Sequence, residues 1–223
     1  VSIRLGAEAA RDALAHSKLR AIALGLAAFT IAVGFQQRSG DASGADRALL
    51  GVTLSLVVPF ACYAVFECAH GRAPSAVFYA PLARHGADRH RLALGSLLVI
   101  TVTSTLLAAS LAVLAVFAAS TVDRELLGDL YACTWGGALV GAAYAGLFAL
   151  GAPWGRKGRL WLLLADWLFG SGSGVLALPW VRGHARNLLG GAPVLQMPPG
   201  FAAAALAAIS ALYILASASR GPR

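Results

Sequence analysis

The sequence predicts an all-α, polytopic membrane protein with six transmembrane helices, an N-terminal interfacial helix and a short helix in the loop after the second span. The first observation behind this is composition. Of the 223 residues, 58% are hydrophobic and 13% charged, whereas a soluble domain is about half apolar and about a quarter charged. The second is length. Six apolar stretches approach or exceed the ~20 helical residues that cross a hydrocarbon layer of roughly 30 Å. The third is that Lys and Arg gather in alternate connecting segments. This composition excludes an ordinary soluble enzyme and a disordered tail. Topology accounts for most of the net charge of +8, so no nucleic-acid partner is expected.

The elements follow in order within one transmembrane domain, residues 1–223. Residues 1–18 place Ile3, Ala7, Ala10 and Leu14 on one helical face and Arg4, Glu8, Arg11 and Lys18 elsewhere. That is the pattern of a helix lying in the membrane interface. The six-span bundle covers 19–217. The spans are Leu19–Phe35, Ala48–Ala69, Ala93–Ala119, Leu130–Trp154, Leu160–Val181 and Phe201–Ser217. No cleaved signal peptide is expected, because the first apolar run starts late.

Orientation comes from the basic residues. With the N-terminus in the cytoplasm, the inner segments hold Arg4, Arg11, Lys18, Arg20, Arg72, Arg84, Arg89, Arg91, Arg156, Lys157, Arg159, Arg220 and Arg223. The outer loops hold Arg38, Arg47, Arg124, Arg182 and Arg186, and one of them also carries the acidic Asp123, Glu125 and Asp129. This asymmetry puts both termini in the cytoplasm. Arg far outnumbers Lys amid abundant Ala, Gly and Leu, a bias typical of GC-rich bacterial genomes. The expected location is therefore the bacterial cytoplasmic (inner) membrane.

Few residues offer chemistry. Glu67 and Asp166 are the carboxylates inside or at the ends of spans, and such groups are costly in a membrane. Each is read either as a structural hydrogen-bond or ion-pair partner or as part of a proton or cation relay. His70, His85 and His90 crowd the loop after the second span, at spacings that form no metal motif, and are expected to be solvated. His184 and Trp180 lie on the outer side, where a surface role competes with substrate contact. No catalytic or metal-binding signature is present, and Gly151-Ala-Pro-Trp-Gly-Arg-Lys157-Gly lacks the Gly-Lys-Ser/Thr of a Walker A loop. No enzyme activity and no cofactor of its own are expected.

Two segments break the regular pattern. Phe169-Gly-Ser-Gly-Ser-Gly174 interrupts the fifth span and Pro179 follows, so that span is read as broken, with outer re-entrant segments, or as merely kinked. Gly137-x-x-x-Gly141 in the fourth span permits close helix approach and is read as packing. The loop 70–92 holds a short, moderately apolar helix, Ser75–Ala80, whose residues suit docking into a partner's groove.

This loop resembles that of the membrane subunits of type-2 ABC transporters, the ABC exporter permeases. In that family the second span ends in an acidic residue, with Gly four positions on, then a coupling helix, a Pro-x-x-Arg turn and a Gly opening the third span. Glu67, Gly71, Pro81, Arg84 and Gly95 match those positions. Arg72 and Ser96 depart from the pattern, and His85–His90 lengthen the loop. The resemblance implies that Ser75, Phe78 and Tyr79 belong to a helix pressed into a cytoplasmic ATPase. It implies that ATP and Mg are bound by that partner, and that a second copy or a paralogue completes the path. Three other readings stand beside it. One is a haem or cytochrome c biogenesis subunit, suggested only by Trp180 and His184. Another is an assembly or anchoring subunit without transport. The last is an ion-coupled carrier, disfavoured by the scarcity of intramembrane charge.

Overall fold

A computed structural model describes residues 1–38, 43–120 and 126–219. The described residues form helices and connecting turns, with no strand. In order these are α1 (Ser2–Ala15), α2 (Leu19–Gln36), α3 (Ser43–Asp46), a π-helical segment (Arg47–Val57), α4 (Val58–His70) and α5 (Ser75–Arg84). There follow α6 (Arg89–Ala119), α7 (Leu126–Gly151), α8 (Gly155–Phe169), α9 (Val181–Leu188) and α10 (Pro199–Ser219). Asp123, Arg124, Glu125, Arg220 and Arg223, used above for orientation, lie outside the described residues.

Five helical stretches are long and apolar enough to cross a membrane, by length and composition: Leu19–Gln36, Gly44–Arg84, Arg89–Ala119, Leu127–Phe169 and Pro199–Ser217. They fit a multi-pass membrane protein. The second and fourth are the inner helices, with 61% and 67% of their most apolar windows buried, against 17% for the first and last. Leu24, Leu98, Leu106, Trp161 and Leu212 stay exposed on the outer surface, as helix faces turned to lipid would.

The expected fourth and fifth spans both fall in the stretch 127–169. The chain reverses at Gly155, whose φ of +63° a residue with a side chain rarely adopts. Helix α8 then runs back along α7, and Tyr144 of α7 meets Asp166 of α8. At 15 residues α8 is about 22 Å long, shorter than the hydrocarbon layer. The sequence expectation of helix from Leu160 to Val181 therefore fails after Phe169. A turn through Gly170–Gly174, a 3₁₀ turn (Val175–Ala177) and Pro179 separate α8 from α9. Arg186 Nη2 caps the break, donating to the carbonyl oxygens of Gly170, Ser171 and Gly172 at 3.3, 2.8 and 3.0 Å. Those carbonyls have no helical partner, and a guanidinium with its fixed fork of donors supplies one.

The helix leading into α4 winds with i→i+5 spacing. Thr53 and Ser55 each donate their hydroxyl to the carbonyl five residues back, Ala48 and Leu50. Pro59 sits at the start of α4 and has no N–H for the ordinary ladder. The two hydroxyls give Ala48 and Leu50 an added donor within the wider register.

Glycines set the closest helix contacts. A Cβ on Gly137 would lie 2.8 Å from Ala112 Cβ, and one on Gly141 2.7 Å from Ser104 O, so the Gly137-x-x-x-Gly141 pair forms the α6–α7 seam. A second crossing joins α1 to α6, where a Cβ on Gly6 or Gly95 would overlap the carbonyl oxygen of Leu92 or Ile3. Of the expected apolar face of α1, Ala10 and Leu14 pack on the bundle together with Gly6, Ala7 is half-buried and Ile3 is 45% exposed. Backbone approach at Gly6 adds a contact that side-chain hydrophobicity alone does not select. It also places Gly95, expected at a coupling site, in a helix crossing. Gly95→Leu is expected to release α1 at a cost of about 1–3 kcal/mol, checked by protease cleavage at Arg4 and Arg11 in the folded variant.

Helix α6 starts four residues before its expected boundary because Asp88 caps it, accepting from His90 N–H at 2.8 Å and Arg91 N–H at 3.2 Å. The Arg91 bond chiefly, with the His90 bond and the nearby Arg91 charge, holds the Asp88 carboxyl below its usual value. A carboxylate with a depressed folded pKa stabilises above its unfolded value near 3.8, and the contribution fades as pH falls through the folded value. Protection of the first-turn amides of α6, taken relative to their intrinsic exchange rate, should therefore fall below about pH 4, and in Asp88→Ala it should already be reduced at neutral pH.

Candidate functional site

The site is built where the ends of α4, α6 and α8 meet the loop that carries α5. Helix α4 ends at His70 because Gly71 takes φ +68°, turning the chain out of the helix. Pro74 precedes the first residue of α5 in extended conformation (ψ 147°). The result is a ten-residue helix set off from the spans on both sides, by Gly71–Pro74 and by His85–Asp88.

Two polar connections fasten this segment to the bundle, the first through the linker before α5 and the second through α5 itself. In the first, Arg159 of α8 is fully buried and donates through Nη2 to Glu67 Oε1 (2.6 Å) and Gly71 O (2.6 Å), and through Nε to Glu67 (3.2 Å). One guanidinium thus fixes both the carboxylate closing α4 and the residue where the chain turns out. Arg156 N–H adds a bond to Arg72 O at 3.1 Å. In the second, His70 Nε2 lies 2.8 Å from Ser96 Oγ of α6 and 3.0 Å from Tyr79 OH of α5. The Phe78 ring packs on His70 at 4.8 Å between centroids, and Phe66 stacks edge-on at 5.7 Å. Through His70, α5 is tied to α4 and α6 at one point.

Glu67, Gly71, Phe78 and Tyr79 thus come together around the two connections. Ser75 opens α5 as its first residue. Pro81 and Arg84 do not form a turn, because α5 runs through both to Arg84, four residues beyond its expected end at Ala80. Tyr79, at 1% exposed, does not offer the docking surface expected of it, while Phe78 is half-buried against His70. The free face of α5 carries Val77, Pro81 and Arg84, spaced four and three residues apart.

At the opposite end, Asp166 is buried and accepts from Tyr144 OH at 2.7 Å and from Arg182 N–H at 3.1 Å. Those bonds tie α8 to α7 and to the start of α9. His184 is 1% exposed, with Nε2 2.8 Å from Leu178 O, so it is a buried residue rather than the outer-surface contact its position suggests. Trp180 is half-buried and stacked on Phe169 at 6.0 Å.

The principal omissions of the sequence reading are Arg159, His70, Ser96 and Tyr144. Arg159 counted only toward topology, although a cation at the edge of an apolar run at the depth of Glu67 is a pairing signal. His70 was expected in water, yet it is 4% exposed. Among the described residues, no three His, Cys, Asp or Glu side chains converge to hold a metal ion. No family model matches the chain, and neither a curated protein nor a solved structure matches it.

Proposed function

We propose that this chain is the membrane-spanning permease subunit of an ATP-driven, ABC-type exporter in the bacterial cytoplasmic membrane, with both termini in the cytoplasm. Helix α5 is its coupling helix. A separate ATPase binds α5 and supplies ATP and Mg, and a second copy or a paralogous permease completes the path. The chain itself performs no chemistry.

The observation that supports this reading is the construction of α5. A lever must be a discrete element, exposed on one side and rigidly joined to what it moves. Helix α5 is bounded by breaks at both ends, presents Val77, Pro81 and Arg84 outward, and is joined through Tyr79 to His70 of α4 and by way of His70 to Ser96 of α6, while the linker before it is held to α8 by Arg159 and Arg156. Displacement of α5 would move three long helices together, as a switch between two packed arrangements requires. The expected six-span count fits this reading if α8 and the segment through α9 act as a broken fifth span.

The test is purification from native membranes in mild detergent with every co-purifying chain identified. A stoichiometric partner bearing a Walker A sequence is expected. Val77→Glu should lose it while leaving insertion and thermal unfolding unchanged, because Val77 is 59% exposed. Retention of the partner by that variant contradicts the assignment of α5.

A further inference from the structure

A groove of about 200 Å³ runs between the α4 side and α8, lined by Leu56, Pro59, Phe60, Leu164 and Trp167 among others. Its walls are apolar. Ser55, the polar residue in it, is 7% exposed and gives its hydroxyl to Leu50 O. The groove is open to the outer surface of the bundle, since Phe60, Leu164 and Trp167 are each about half exposed.

A cation lies against Trp167, one of the lining residues. Arg182 Cζ lies 5.3 Å from the centre of the Trp167 ring. Its side chain makes no hydrogen bond among the described residues, and its Nε and Nη1 are enclosed with no acceptor. Asp166 lies near enough to feel the Arg182 charge, but the bonds it accepts come from Tyr144 OH and the backbone N–H of Arg182 rather than from the guanidinium. Arg186, one turn on, spends Nη2 on three carbonyls and leaves its own Nε without an acceptor. The local balance is two guanidinium groups against one carboxylate. A ring face attracts the cation but accepts no in-plane N–H. Leaving such donors without an acceptor away from water is costly.

We propose that this groove is a binding site for an anionic phospholipid, with an acyl chain against Leu56, Phe60 and Leu164 and the phosphate on Nη2 of Arg182, the guanidinium nitrogen that is not enclosed. A phosphate oxygen accepts a charge-assisted hydrogen bond from such a donor. The Trp167 ring then stands at the boundary between chain and headgroup, where Trp is enriched in membrane proteins. The site is independent of the ATPase reading and is assayed on this chain alone.

The experiment is native mass spectrometry of the full chain in detergent, with phosphatidylglycerol or phosphatidylcholine of identical acyl chains added. Phosphatidylglycerol should be retained about tenfold better, the equivalent of ~1.4 kcal/mol of charge-assisted hydrogen bonding. Arg182→Gln should abolish the preference. It should still fold, since only the backbone of Arg182 bonds to the rest of the chain. Leu164→Trp, which fills the groove, should lower retention of both lipids, and Leu168→Trp on the neighbouring exposed face should lower neither. Excess inorganic phosphate should not displace the lipid. Equal retention of the two lipids, undiminished preference in Arg182→Gln, or displacement by free phosphate overturns the proposal. So does spontaneous cross-linking of Leu164→Cys chains in lipid-filled bilayers, which would show a second copy covering the groove.

Discussion

Glu67→Leu is expected to destabilise the protein by about 3–5 kcal/mol, because it leaves a buried guanidinium without its counter-charge. Arg159 has no exposed side-chain surface, and Gly71 O would be its sole remaining acceptor. The reverse change is milder. Arg159→Met removes the deeper charge and leaves Glu67, whose side chain is 19% exposed and reaches solvent or headgroups. Its cost should be about 1 kcal/mol, the size of an ordinary hydrogen-bond loss. The double variant Glu67→Leu/Arg159→Met should recover most of the loss, since an apolar pair of similar volume often substitutes well for a buried ion pair. Arg159→Lys cannot reproduce the fork that spans Glu67 and Gly71 and should fall between the single variants. Thermal unfolding in detergent measures all four. If the recovered double variant regains stability and partner binding but not transport, the pair transmits movement rather than merely holding the fold. Equal costs for the two single variants would contradict the burial asymmetry on which the order rests.

Asp166→Ala should be the second large loss, at about 2–4 kcal/mol, since it orphans a buried tyrosine hydroxyl and a backbone N–H together. Asp166→Asn keeps a carbonyl oxygen for Arg182 N–H and an amide group for Tyr144 OH, so it should be mild in stability and in transport. Tyr144→Phe removes one bond and one donor together and should cost less than Asp166→Ala. The comparison decides the role of the carboxylate. Complete loss of transport by a stable Asp166→Asn variant would show that its charge or proton is used, and a mild effect identifies a structural partner.

Much of the fold is legible in the sequence because apolar length is a local signal. Helices α2, α6 and α10 begin and end within a few residues of the expected spans, and the capping Asp88 explains the early start of α6. The fifth span was harder to place. Gly170, Gly172, Gly174 and Pro179 mark a break, but what stabilises it is Arg186, sixteen residues beyond Gly170, and such pairings have no local signature. The crossing of α1 on α6 was not legible for a related reason. Hydrophobic periodicity weighs side chains, whereas Gly6 and Gly95 bring backbones together with no side chain between them.

The site was legible in outline only. Glu67, Gly71 and the helix after them stood out by spacing, but Arg159 is 92 residues from Glu67 and Ser96 is 26 from His70. The orientation of α5 was not legible either. Its apolar residues surround the helix, and only the contact of Tyr79 with His70 and Ser96 decides that Phe78 and Tyr79 face inward and Val77 faces out. Tyr79, which the resemblance placed in a docking helix, is therefore the residue that anchors it.

The measurement that tests the coupling role of α5 most directly is site-specific photo-cross-linking in native membranes. The probe is placed in turn at Val77, Pro81 and Arg84 on the free face, and at Tyr79 on the anchored face. An adduct from the three outward positions to one nucleotide-binding chain, with none from position 79, is the predicted result. No adduct to an ATPase from the outward positions, in membranes where the chain is folded and its partners are present, would contradict the account.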